Sequence, residues 1–218
     1  MEGSFSSSFV ISEDGQWLIV GNQKGKLNFW NILKKKFLKI QEVSKEAINK
    51  ITLLDKDKLL IVSGKKIYLR NITEDKNIQT FDIKEQTIHQ MIATKSGENF
   101  LTLSLSAEVN IWNIHKERPV YSIQIDSSYA DIGQMVDFSS DGKEVAIAFE
   151  DGTVKLYSSK NLKVPKKIFI YGDKENWVVF DEKTKKMRVA DEGNFLLKKH
   201  QMYKDKNVTI FEFERYEK

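Results

Sequence analysis

Three histidines, His89, His115 and His200, are the first residues to weigh as metal ligands or acid–base groups. They fall in separate segments with no ligand spacing, so ordinary edge or surface histidines are expected and no metal site. Cysteine is absent, which excludes disulfides, thiolate metal sites and thiol nucleophiles. That absence suits a reducing compartment, and a cytoplasmic location is the expectation. A serine nucleophile needs a sharp strand-to-helix turn and a partnered base, and no serine here has that context. Asp55 with Asp57, and Asp126 with Asp131, are pairs that could do acid–base work. The first pair falls in a short inter-strand turn, where Asp bonds local backbone; the second belongs to a longer loop. The glycines form no phosphate cradle. These readings together predict a protein that is not an enzyme and needs no cofactor.

The elements that carry these residues repeat. Phe29-Trp30-Asn31-Ile32 recurs as Leu69-Arg70-Asn71-Ile72 and as Ile111-Trp112-Asn113-Ile114, with a weaker copy at Leu156-Tyr157-Ser158-Ser159. Positions 30, 70, 112 and 157 are 40, 42 and 45 residues apart. Upstream of the phrase come an apolar run, a polar turn, a second apolar run and another turn. In the first copy these are Phe9-Val10-Ile11, Asp14-Gly15, Trp17-Leu18-Ile19-Val20 and Lys24-Gly25. The Asp-Gly and Lys-Gly pairs supply the positive φ that tight hairpins need. A further run follows the phrase, such as Phe37-Leu38-Lys39-Ile40 or Val120-Tyr121-Ser122-Ile123. The pattern is four short antiparallel strands every ~40–45 residues, the organisation of a β-propeller blade. Ile61-Val62 is apolar on both faces, as a strand buried between neighbouring blades would be, and Trp30 and Trp112, at matched positions, are expected in the core. Trp17 and Trp177 are expected there too.

The repeats resemble the WD40 family. Phe138-Ser139-Ser140-Asp141-Gly142 is similar to that family's turn after the first strand, and Phe29-Trp30-Asn31 and Ile111-Trp112-Asn113 are similar to its closing Trp-Asp with Asn in place of Asp. The resemblance covers roughly residues 8–171. No copy has the Gly-His pair, and Arg70 stands where an aromatic is expected, so most of the family's Asp–His–Ser–Trp network is missing. The resemblance implies an all-β propeller with a non-catalytic protein-interaction role. The alternative it leaves is a sensor or recruiting part of a larger enzyme, caspase-like or ATPase, whose catalytic domain lies outside this segment.

Residues 1–171 are thus expected to be four WD40-like blades, and residues 172–218 a strand-rich closing segment of the same propeller. Asn176 to Asp181, Asp191 to Lys198 and Val208 to Glu214 read as the strands of that segment, with a charged turn from Glu182 to Lys186 between them. It reads as a degenerate fifth blade or as a closing piece similar to that of some bacterial WD40-type proteins. Four units plus this cap describe either an open propeller or part of a larger ring, and an unpaired edge would favour self-association.

The net charge is +4, with 35 Lys+Arg against 31 Asp+Glu interspersed along the chain. The basic runs Lys34-Lys35-Lys36 and Lys163 through Lys167 read as solvated turns, and nucleic acid is not an expected partner. The N-terminal residues lack a basic start followed by an apolar stretch, so no secretory signal is expected, and the strand-sized apolar runs predict no membrane span. The binding residues singled out are Tyr129, Asp131 and Asp151. The loop Asp126-Ser127-Ser128-Tyr129-Ala130-Asp131 is longer than its counterparts and carries an aromatic between acids. Tyrosine offers large contact area at low entropic cost, and the expected partner is a protein or peptide with a basic surface. The alternative reading is a solvated loop with Tyr129 folded onto its own blade.

Overall fold

The computed structural model describes residues 6–84, 87–125, 135–149, 152–171, 177–189 and 212–215. All helix or strand among them is β, with no helix. The chain divides into two compact units, residues 1–124 and 125–218.

The first unit holds three four-stranded antiparallel sheets, each a meander in chain order. Strands β1 (Ser6–Ile11), β2 (Trp17–Asn22), β3 (Lys26–Asn31) and β4 (Lys36–Glu42) make the first. The second is β5 (Ile48–Leu53), β6 (Lys58–Ser63), β7 (Lys66–Asn71) and β8 (Lys76–Asp82). The third is β9 (Ile88–Ala93), β10 (Asn99–Ser104), β11 (Glu108–Asn113) and β12 (Tyr121–Gln124). The sheets stack face to face, with β1 against β5 and β5 against β9.

Period-two alternation explains why β6 is apolar from Leu59 to Val62. Leu59 and Ile61 join Ile19, Leu27, Phe29, Ile48 and Ile51 in a core between the first two sheets. Leu60 and Val62, pointing the other way, join Ile67, Leu69, Phe81, Phe100 and Trp112 between the second and third. Phe100 stacks on Trp112 with ring centroids 5.7 Å apart, and Phe81 meets both edge-on. Trp112 Nε1 donates to Thr102 Oγ1 at 3.0 Å, so its polar handle is satisfied.

The polar residues of the repeat close its turns. In the first turn Ser12 Oγ donates to Asp14 Oδ1 (2.6 Å), which also accepts from Gln16 N (3.0 Å). Trp17 N donates back to Ser12 Oγ at 2.9 Å. Ser139, Asp141, Lys143 and Glu144 repeat the same bonds, at 2.7, 3.0 and 3.0 Å. The asparagine of the repeated phrase caps the next turn. Asn31 Oδ1 accepts from Lys34 N, Asn71 Oδ1 from Thr73 N and Glu74 N, and Asn113 Oδ1 from His115 N. The residue after that position, Ile32, Ile72, Ile114 or, following Ser158 in the fourth copy, Ser159, donates its N–H to the carbonyl of Gln16, Asp57, Glu98 or Lys143, extending the ladder by one bond.

The second unit is built on one seven-stranded sheet in chain order. Its strands are β13 (Met135–Phe138), β14 (Glu144–Ala148), β15 (Thr153–Ser158), β16 (Lys167–Tyr171), β17 (Trp177–Asp181), β18 (Lys186–Val189) and β19 (Glu212–Arg215). The first four carry the fourth repeat. The closing segment does not form a separate blade, because β17 pairs directly with β16 and leaves no free edge there. Strand β16 has two roles, as last strand of the fourth repeat and as a substitute second strand for a further copy. Glu182 N donates to Lys166 O (2.9 Å), Asp181 Oδ1 accepts from Thr184 N (2.9 Å), and Lys185 has positive φ as Lys35 and Asp75 do. Val178, Phe180 and Met187 form the core here, with Ile168 and Ile170 packed on it. Strand β19 adds parallel to β18.

Candidate interaction surfaces

Tyr129, Asp131 and Asp151 all lie outside the described residues, as do Asp126 and His200. The described flanks of the long loop are Ile125, which is buried, and Met135, where β13 begins. Among the other candidates, Asp55 is turn chemistry. Its Oδ1 accepts from Asp57 N (2.9 Å) and its Oδ2 pairs with Lys58 at 2.6 Å. Partial burial pushes its pKa up, but the bonds from Lys58 and Asp57 outweigh it and hold the carboxyl below its usual value. His89 sits half-buried in β9, and its carbonyl accepts from Lys50 Nζ. His115 is exposed in the turn after Asn113. No group of three or more metal-ligating side chains occurs among the described residues.

A groove of about 1190 Å³ runs between the second and third sheets. Residues 78–80 and 82–84 line one side, and Glu108, Asn110, Trp112, His115, Ser122 and residues 117–119 line the other. Along its third-sheet wall lies a hydrogen-bonded row. Ser122 Oγ donates to Asn110 Oδ1 at 2.5 Å, and Asn110 Nδ2 donates to Glu108 Oε1 at 3.0 Å. Gln79 Nε2 reaches across to Lys116 O at 3.3 Å.

Cross-strand register shows why the groove is here. Tyr68 aligns with Ile51, Ile61 and Thr80 in the second sheet, and Asn110 aligns with Met91, Thr102 and Ser122 in the third. The two residues hold the same place in successive repeats. Tyr68 packs on the core between the first two sheets. Lys39 Nζ and Gln41 Nε2 also cross that seam to Ile72 O, at 3.2 and 2.9 Å. Between the second and third sheets the tyrosine's place is taken by a shorter amide. The sequence carries this signal as Lys66-Ile67-Tyr68-Leu69-Arg70 against Glu108-Val109-Asn110-Ile111-Trp112, but it becomes readable only once the pairing is known.

A second surface corrects an expectation. Trp112 is 2% exposed, as expected of a core aromatic, but Trp30 is 43% exposed. Both point to the same side of their sheets. On the third sheet that side meets the second sheet, whereas on the first sheet no other sheet of residues 1–124 covers it. Arg70, the counterpart on the second sheet, is buried and bonds Asp75 and Asn77. Trp30 packs edge-on to Phe37 with centroids 5.1 Å apart, both rings partly in solvent. Trp17 and Trp177 are half-buried, Trp17 against the core between the first two sheets.

No protein-family model matches this chain, and no curated protein matches it significantly in sequence.

Proposed function

We propose that the chain is a non-catalytic protein-interaction module of the WD40-like propeller type, and that the groove between its second and third sheets receives an extended segment of a partner protein. The groove's wall is the observation that carries this reading. Asn110, Ser122 and Gln79 offer amide and hydroxyl groups suited to the backbone of an extended chain, and Ile78, Trp112 and Pro119 lie beside them for an apolar side chain. The charges lining it are mixed, with Asp82, Glu108 and Glu117 against Lys84 and Arg118. A mixed lining lacks the continuous basic track that phosphate backbones require. Support for the blade reading comes from three stacked four-stranded meanders and from the Trp112–Thr102 bond beneath the groove.

The test uses a displayed library of random peptides selected on the immobilised chain, in parallel with Asn110→Tyr. That variant installs the residue that Tyr68 supplies one repeat earlier. The wild type is expected to enrich a peptide class that the folded Asn110→Tyr protein does not. Equal enrichment by both, or none by either, would overturn the groove as a binding site.

A further inference from the structure

The outer strands of the four repeats are of two kinds. In β4 and β8 a bulge falls within the pairing, at Phe29/Trp30 and at Leu69/Arg70 of the neighbouring strand, and residues pair on both sides of it. Those strands also carry Lys36, Lys39 and Glu42, and Lys76 and Asp82. Bulges and charges on an edge strand discourage a further strand from pairing there. In β12 and β16 the irregularity stands at the entry, where Val120 N donates to Ile111 O at 2.7 Å and Lys166 N to Leu156 O at 2.6 Å. From there each strand keeps a single register. β12 has no charged residue, and β16 has only Lys167, its first.

An edge of the second kind takes a further strand within this molecule. β17 lies antiparallel on β16, with Phe180 opposite Ile168 and Val178 opposite Ile170. The repeat makes Ser122 of β12 the counterpart of Ile168. Tyr121 aligns with Ile111 as Lys167 does with Leu156, and the next residues are Ser122 and Ile168. Antiparallel pairing turns the backbone of alternate residues to opposite edges. Ser122 therefore presents its N–H and C=O outward, as Ile168 presents its own to β17. No described strand pairs with that edge of β12.

We infer that β12 receives an extended segment of a partner protein as a fifth, antiparallel strand. Pairing of this kind draws affinity from main-chain hydrogen bonds and specificity from alternate side chains. In the register that β17 adopts on β16, the segment places a residue opposite Ser122, where Phe180 stands opposite Ile168. Ser122 lines the groove with Trp112 and Pro119, so a large apolar residue fits there. That last step rests on the groove as a binding site, whereas the strand pairing rests on the edge alone. Val178-Val179-Phe180, apolar and β-branched or aromatic, is the kind of segment that suits such an edge.

The probe is the chain's own segment Trp177–Lys183 as a free peptide, blocked at both ends and titrated by NMR into the isotope-labelled 218-residue chain. The expected result is shifts at residues 120–124 and slower exchange of the Ser122 N–H. A second peptide, N-methylated at its phenylalanine, keeps every side chain but loses the N–H that faces the edge. It should bind at least about tenfold more weakly. Equal binding of the two peptides, shifts as large on β4 or β8, or none on β12 would each sink the inference. So would a Ser122 N–H already protected in the free chain, which would mean that another part of this chain or a second copy pairs there. Asn110→Tyr separates the two readings. If that variant binds the first peptide as the wild type does, while N-methylation still weakens binding, the groove fails and the strand pairing stands.

Discussion

Asp14 and Asp141 sit on the outside of the molecule, yet both have pKa values below that of a free carboxyl. The largest cause is the neighbouring hydroxyl, from Ser12 or Ser139, and the second is a backbone N–H, from Gln16 or Lys143. For Asp141 the value falls to about 2. A carboxyl depressed in the folded state stabilises the fold above its unfolded pKa and loses that contribution as pH falls through the folded one. The relevant window for Asp141 therefore runs from near pH 4 down to 2. Removing the hydroxyl in Ser139→Ala should raise the Asp141 pKa, and a carbonyl-carbon NMR titration would measure it. An unchanged titration would mean that the turn does not depend on the serine. Trp112 and Trp30 form the second contrast at this scale. Trp112→Ala opens a cavity among Phe81, Phe100 and Met91 and leaves Thr102 without its donor, a loss of roughly 3–5 kcal/mol in chemical denaturation. Trp30→Ala should cost about 1 kcal/mol or less, because much of its ring is already in water. The repeated phrase made these two residues look alike. Their burial differs because it is set by the neighbouring sheet, which a strand's own sequence does not specify.

Strand β2 comes so close to β5 that position 21 has no room for a side chain. A Cβ on Gly21 would lie 2.4 Å from Ile48 Cγ2 and 3.0 Å from Ile51 Cδ1. Gly21→Ala should therefore cost about 1–3 kcal/mol by overpacking the seam, read from the denaturation midpoint at constant m-value. Gly15 is the control. It has φ +68° and nothing within 4 Å of an added Cβ, so Gly15→Ala should cost only the ~1–2 kcal/mol of a left-handed residue. A Gly21→Ala protein as stable as wild type would show that the first two sheets can slide apart freely. Strand positions and hairpin turns were legible in the sequence because they obey local rules of period two, Asp-Gly turns and Asn caps. In the closing segment the strand at Trp177–Asp181 was legible and the run Val208 to Glu214 overlaps β19, but β18 and the pairing were not legible, and the run Asp191 to Lys198 lies outside the described residues. Asp181-Glu182-Lys183-Thr184-Lys185-Lys186 repeats the spacing of Asn31 to Lys36 and Asn71 to Lys76, an Asx residue followed five positions later by lysine. That spacing identifies a turn, but it does not reveal that the strand before it would pair with β16 rather than begin a new sheet.

At the scale of the stack, two inter-sheet cores among the described residues join the three sheets of residues 1–124, and the main inter-sheet contacts run between neighbours in chain order. Such an arrangement behaves as a chain of nearest-neighbour interfaces. The two interfaces also differ in kind. The one between the first and second sheets is crossed at its outer part by Lys39, Gln41 and Tyr68, whereas the one between the second and third is crossed there by Gln79, has Asn110 in the tyrosine's place, and holds the Phe81–Phe100–Trp112 cluster beneath an open groove. Damage to that cluster should therefore remain local. In a milder variant, Trp112→Leu, native-state hydrogen exchange followed by mass spectrometry should show faster exchange in β6, β7, β10 and β11. Strands β2 and β3 should keep most of their protection, because Ile19, Leu27 and Phe29 contact the intact side of the second sheet. If protection in β2 and β3 falls as far as in β10 and β11, the three sheets open as one cooperative body and the nearest-neighbour description is wrong. If it persists while the third sheet loosens, the groove lies along the most readily opened seam of the unit, where a bound segment would gain most from tightening the two sheets around it.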